Sequence, residues 1–196
     1  MSLKQPDLST IRKAKLGDEY AFAELVSEYE VMVYNYVSRM LGDPALAEDL
    51  TQEIFLRVHG GISNFSLRSR FTTWLFQIAK NRVFDELRSR ERRLNIQDKL
   101  ENSVRGVQSI DAPIEENELI AVIWEAIALL NADLKTALLM RDVLGFSYGE
   151  IAESLEITIS TVKWRIYKAR EDVLRTLEDR GVKDHFLPLR ESKSLR

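Results

Sequence analysis

Apolar residues return every three or four positions through most of this 196-residue chain, which is the spacing of one helix face turned inward. From Asp18, a side chain suited to capping a helix start, the series Phe22, Leu25, Val26, Tyr29, Val33, Tyr36, Val37, Met40 and Leu41 predicts one long amphipathic helix stopped by Gly42. Asp43 and Pro44 restart the chain as cap and first helical residue. Leu46, Ala47, Leu50, Ile54 and Val58 then carry the period to an expected stop at Gly60 and Gly61. A third helix is predicted from about Arg70 to Arg90, with Phe71, Trp74, Leu75, Ile78 and Leu87 inward.

Between residues 94 and 117 the period weakens and Gly106, Ser109 and Pro113 appear, which reads as a linker holding at most one short helix. The period returns in Leu119, Val122, Ile123, Ala126, Ile127 and Leu130. Leu134, Ala137, Leu138 and Arg141 then predict a second helix ending at Gly145. Strand-type alternation and internal repeats are missing. The expected fold is all-α: a helical domain over 8–93, the linker 94–117, a second small helical domain over 118–178 and a tail over 179–196.

Composition narrows the chemistry. Apolar residues at 45% and charged residues at 30% suit a globular chain. There is no cysteine, so disulfides, thiolate metal sites and a cysteine nucleophile are excluded. His59 and His185 stand alone, without neighbours at metal-ligand spacing, and no phosphate-binding glycine loop is present, so no metal, cofactor or enzymatic activity is predicted. The N-terminus lacks an apolar signal core and the longest apolar run is interrupted by Glu125, so neither export nor membrane insertion is expected and the cytoplasm is the expected location.

Ser147-Tyr148-Gly149-Glu150 has the capping-box pattern, in which the serine hydroxyl takes the N3 amide and the glutamate reaches back to the cap amide. The helix it starts runs to Leu155, with Ile151, Ala152 and Leu155 inward. After the turn Glu156-Ile157-Thr158 a second helix is expected, capped by Ser160. On it Val162, Ile166 and Ala169 pack inward. Ser160, Thr161, Lys163, Trp164, Arg165, Tyr167, Lys168 and Arg170 form the candidate reading surface of a helix-turn-helix, offering cations to phosphates and guanine edges and aromatic surface to thymine methyls. Trp164 either faces DNA or packs on the tail residues Phe186 and Leu187.

The strings AEDLTQEIFLRV (47–58) and NFSLRSRFTTWLFQIAKNRVFDELRSRERR (64–93), followed by FSYGEIAESLEITISTVKWRIYKAR (146–170), resemble the sigma-70 family of bacterial initiation factors, in its two-domain extracytoplasmic-function (ECF) group. The resemblance implies a sigma2-like and a sigma4-like domain reading the minus-ten and minus-thirty-five promoter elements. The implied partners are core RNA polymerase through its β′ clamp helices and β flap, promoter DNA, and a cognate anti-sigma factor. It assigns Asp49, Gln52 and Glu53 to the clamp helices, and Phe65 and Asn81 to a flipped minus-ten base. Phe65 also reads as an ordinary core aromatic, and Trp74 as core before DNA contact.

The residues themselves add detail. Asn64, Phe65 and Ser66 can line a pocket beside Arg68 and Arg70. Thr72 and Thr73 in a helix's first turn suit a phosphate. Lys80, Asn81 and Phe84 share a polar face fit to read a base edge, and Arg82, Arg88, Arg90, Arg92 and Arg93 suit phosphates. Without an ATP-binding loop, melting would be driven by capture of unpaired bases, with each stack worth about 1–3 kcal/mol.

Net charge of −3 hides a division: residues 17–56 hold nine acids against one base, and residues 66–93 eight bases against three acids. An acidic front repels free DNA and attracts a basic protein surface. Three positions depart from the group's pattern. Asn131 stands where a proline is common, altering a helix start; Glu156 replaces the turn glycine, implying a wider turn; Trp164 replaces a small residue, implying an unusual minus-thirty-five preference. The rival readings are a two-domain regulator with a GerE-like helix-turn-helix that binds duplex DNA alone, and an adaptor acting only through protein contacts.

Overall fold

In the computed structural model, residues 5–97 and 116–181 are described, and among them every regular element is a helix. The short helix allowed within the 94–117 linker falls, beyond Gln97, outside the described residues, as does the tail beyond 181 with Phe186 and Leu187. Four helices form the first half: α1 (Leu8–Lys15), α2 (Glu19–Leu41), α3 (Pro44–Ile62) and α4 (Phe71–Gln97). Four form the second: α5 (Glu116–Ala128), α6 (Ala132–Leu138), α7 (Tyr148–Leu155) and α8 (Ile159–Asp179).

The cap residues explain most of the boundaries. Asp18 and Asp43 accept from Ala21 N and Leu46 N, and Gly42 closes α2 at φ 66°. α1, too short to show a period, starts on Asp7, whose carboxylate accepts from Ser9 N. Gly60 and Gly61 do not end α3, which continues to Ile62. Gly61 is instead a close approach, since a Cβ there would lie 3.3 Å from the Trp74 ring. α4 runs past the expected stop at Arg90 to Gln97, well into the segment read as linker.

Asn131 is the N-cap of α6, accepting from Leu134 N at 2.9 Å. The helix expected to run through Arg141 becomes α6 plus one wide π turn, Leu139–Val143. Thr158, not Ser160, caps α8, accepting from Thr161 N. At the turn Glu156 itself takes the left-handed conformation, φ 57° and ψ 42°, at a cost of about 1 kcal/mol.

Tyr29, Val33, Tyr36 and Val37 of α2, Leu50, Ile54 and Val58 of α3, and Phe71, Leu75, Phe76 and Ala79 of α4 are all buried together. The second half closes around Ile151, Val162, Ile166 and Ala169. The two halves also pack on one another. Phe76 meets Phe146 edge to face at 4.8 Å, Tyr36 Oη lies 3.4 Å from Thr136 Oγ1, and the Arg39 guanidinium sits 3.5 Å above the Trp124 ring. Buried Lys135 donates to the Met40 carbonyl at 3.3 Å, and burial pulls its ammonium below the ordinary lysine range.

Candidate nucleic-acid and partner interfaces

The amphipathic pattern of α3 buries Ala47, Leu50, Ile54 and Val58, which turns Asp49, Gln52 and Glu53 to solvent. Leu56, 71% exposed, lies on the same face one turn further on. It is not among the residues singled out from sequence, and the signal that marks it is that Leu56 is out of phase with the buried set Leu50, Ile54 and Val58. Glu53 is engaged as well as exposed: Arg82 Nε donates to its Oε2 at 2.6 Å, and that bond holds the carboxyl below its usual range.

Loop 63–70 joins α3 to α4 and is tied down by Lys15, whose Nζ donates to the carbonyls of Ile62 at 3.3 Å, Ser63 at 2.8 Å and Phe65. A cation at a helix C-terminus satisfies the carbonyls left over there, a signal readable only once α1 is placed. Asn64, Ser66, Arg68 and Arg70 are exposed on this loop. Phe65 is not available to a base in this structure: it is 4% exposed, stacked on Trp74 at 4.9 Å and edge to face with Phe71 at 6.1 Å. Thr72 and Thr73 are likewise covered, at 0% and 2% exposure. Thr72 Oγ1 accepts from Gln5 Nε2 at 2.5 Å, and Thr73 Oγ1 is buried without a hydrogen-bond partner.

Lys80, Asn81, Phe84 and Arg88 do come together. They line an open-sided cavity of about 590 Å³ with Arg57 and Asp85, facing Asp133, Leu155, Ile157 and Arg165 of the second half. Three arginines assigned to phosphates are committed elsewhere. Arg82 bridges Glu53 and Glu86; Arg90 donates to the Leu41 carbonyl at 3.2 Å and pairs with Asp43 at 3.3 Å; Arg93 pairs with Glu86 at 2.7 Å. Arg88 and Arg92 stay exposed, Arg88 3.5 Å from Asp85.

On α8, burial of Val162, Ile166 and Ala169 leaves Ser160, Lys163, Trp164 and Tyr167 along the opposite face, with Trp164 59% and Tyr167 57% exposed. Thr161 is half-buried and Lys163 Nζ stands 5.9 Å from the Tyr148 ring. The other cations of the reading surface carry internal partners: Arg165 with Asp133 at 3.1 Å, Lys168 with Glu171 and Asp172, and Arg170 with Asp142 at 2.6 Å. Among the described residues no cluster of His, Asp or Glu could hold a metal, and no helix is long and apolar enough to cross a membrane.

An exposed aromatic and basic helix behind a capped helix and tight turn, joined to a bundle with which it shares a polar cavity, defines a two-part helix-turn-helix nucleic-acid-binding protein. The sigma-70 region 2 family model matches residues 25–93 and the sigma-70 region 4 model residues 120–173. The chain is 33% identical over 180 residues to the ECF RNA polymerase sigma-E factor of Haemophilus influenzae, covering 87% of this chain and 95% of that protein. It is 32% identical over 182 residues to the ECF RNA polymerase sigma factor SigW of Bacillus subtilis, covering 86% and 95%.

Two solved structures share the fold. The sigma factor RpoE in complex with the anti-sigma factor NepR from Bartonella quintana matches with TM-score 0.65 at 22% identity over 80% of this chain and 96% of that one. CnrH in complex with the cytosolic domain of CnrY matches with TM-score 0.67 at 20% identity over 87% and 96%. The chain belongs to the sigma-70 family, in its ECF group, and is a transcription initiation factor rather than an enzyme.

Proposed function

We propose that the α3 stripe Asp49, Gln52, Glu53 and Leu56 docks on core RNA polymerase, that Asn81 with Lys80, Phe84 and Arg88 holds an unpaired minus-ten base, and that Ser160, Lys163, Trp164 and Tyr167 read the minus-thirty-five element. The β′ clamp helices are the polymerase part that fits α3, and the β flap the part that fits the second half. The observation that carries this reading is that Lys80, Asn81, Phe84 and Arg88 gather on one open, polar side of α4, where an amide, a ring and two cations can meet base edge, base face and phosphate. Melting is then paid for by binding alone.

The protein works in the cytoplasm, where core polymerase is, with residues 8–93 and 118–178 as its two operating units. An anti-sigma factor holds it inactive; the similarity to two sigma factors whose structures contain such inhibitors supports this. The test is run-off transcription with purified core polymerase and a library of randomised promoter fragments. Enrichment of one bipartite element is expected. No transcript from any fragment, with active core enzyme, overturns the reading.

A further inference from the structure

Helix α8 carries its charge and its free surface in different places. Its buried stripe is Val162, Ile166, Ala169 and Val173. At about 3.6 residues per turn, the positions opposite that stripe are Ser160, Trp164, Tyr167 and Glu171, with Lys163 and Lys168 at the margins. Arg165 and Arg170 fall on the two flanks beside the core.

Of the four cations between Ile159 and Arg170, three are held by carboxylates. Arg165 pairs with Asp133 of α6 at 3.1 Å. Arg170 donates through Nε and Nη2 to the two oxygens of Asp142, at 3.0 and 2.6 Å, so Asp142 fills the fork that a guanine edge would otherwise take. Lys168 is held by Glu171 at 2.9 Å and Asp172 at 2.8 Å. Freeing any of the three would leave its carboxylate unpaired beside the phosphates, a like-charge contact that opposes the exchange. Glu171 also makes the far end of the face acidic, which limits groove contact to the first turns of α8.

The free surface on those turns is apolar. Trp164 and Tyr167 are more than half exposed and Ile159 about half. Lys163, 5.9 Å from the Tyr148 ring, has no carboxylate partner among the described residues. In the major groove guanine is met best by a bidentate arginine and adenine by an asparagine or glutamine amide, whereas thymine alone offers a methyl group. Residues 159–170 include no asparagine or glutamine, and both arginines are engaged.

We infer that α8 reads the minus-thirty-five element chiefly through pyrimidine 5-methyl groups, with Trp164 and Tyr167 as the contacting side chains. This rests on the function proposed above. The element is then rich in thymine on the strand these rings face, and Lys163 serves a phosphate. 5-Methylcytosine presents the same methyl at the same place in the groove, so methylation of a cytosine there strengthens recognition. Burial of one methyl is worth about fourfold in affinity.

The test uses holoenzyme assembled from the full chain and core polymerase, which selects an element from a randomised minus-thirty-five library and is assayed by run-off transcription. Each thymine of the element is then replaced by deoxyuridine, which removes the methyl and keeps every hydrogen-bonding group. Promoter affinity should fall about fourfold at each contacted position. At the most sensitive position 5-methylcytosine should bind about fourfold tighter than cytosine. Trp164→Ala and Tyr167→Ala, whose side chains lie outside the core, should each abolish the difference between thymine and deoxyuridine at the positions that ring covers. Equal affinity for thymine and deoxyuridine promoters, a selected element without thymine, or a deoxyuridine penalty that survives in both variants would each overturn the inference, while transcription from the selected promoter upholds the sigma-factor reading. No transcript from any fragment would overturn that reading, and the methyl contact with it.

Discussion

Replacing Phe65 with alanine decides between its two roles, because the structure assigns it a large energetic one. The ring is 4% exposed, stacked at 4.9 Å and 25° on Trp74 and edge to face on Phe71. Truncating a buried phenylalanine to alanine destabilises by about 3–5 kcal/mol, cavity included, and lost aromatic pairing makes up about 0.5–1.5 kcal/mol of interaction beyond area. Loop 63–70 is a surface connection that can partly collapse into the gap, so about 3 kcal/mol is expected. For a chain of this size each kcal/mol lowers Tm by about 2–4 °C, giving a drop of roughly 10 °C. Phe65→Leu retains most of the volume and should recover more than half of that. Thermal and urea unfolding measure the stability, and run-off transcription at a temperature where both variants are folded measures the rest. A packing residue predicts that leucine restores transcription along with stability. Restored stability without transcription would show that the ring meets a base after the loop rearranges. An alanine variant less than about 1 kcal/mol below the parent would refute the packing argument altogether.

Trp164→Ser should leave stability and polymerase capture unchanged, since the side chain is 59% exposed, and should alter the minus-thirty-five sequence recovered from a randomised promoter selection; an unaltered sequence would remove Trp164 from the reading surface. Glu53→Lys should weaken core polymerase capture at least tenfold by reversing a charge on the α3 stripe, and should also lower Tm by facing Arg82 with a like charge; undiminished capture in a pull-down would place the docking face elsewhere. The contact between the two halves should depend on pH through Glu150, which accepts from Arg70: burial works to raise its pKa, but the bonds from Ser147 and Arg70 prevail and hold the carboxyl below its usual range. A depressed carboxyl contributes stability at pH above its unfolded value of about 4.3 and loses it as pH falls through the lower folded value, so the difference in Tm between the parent chain and Glu150→Gln should be constant from pH 7 to 5 and fall only below about 4. A fall already complete at pH 6 would assign the dependence to another group.

Helices were readable from sequence wherever burial and period coincide, as in α2, α3 and the Val162, Ile166 and Ala169 face of α8. Boundaries set by contacts elsewhere in the chain were not. Gly60 and Gly61 read as a stop because glycine disfavours helix interiors, yet Gly61 serves the approach of the Trp74 ring, which local sequence does not display. Ser160 reads as a cap by type, but Thr158 sits where the chain first turns helical, and only the left-handed Glu156 fixes that register. Composition likewise shows that arginines are abundant between residues 66 and 93 without showing which carboxylates they meet.

That last point changes what charge can do here. The excess of bases over acids between residues 66 and 93 is real in the sequence, but Arg82 and Arg90 are engaged by Glu53 and Asp43, holding α4 against α3 and its cap, and Arg93 pairs with Glu86 within α4. On α8 the same is true of Arg165, Lys168 and Arg170. Each such pair supplies the duplex with less field than the cation alone, because a partner carboxylate about 3 Å away leaves only a dipolar field at distances beyond the pair separation. Counterion release on DNA binding scales with the cations that reach phosphate, so affinity of the isolated chain for duplex should be weak and only shallowly salt-dependent. A stand-alone regulator could not work on that basis. A factor delivered by a large partner can, because fixing its helices against DNA replaces a bimolecular search with a local one, at an effective concentration set by the assembly. The acidic α2 and α3 faces and the internally paired arginines are then two parts of one design: both suppress binding to DNA that the partner has not presented.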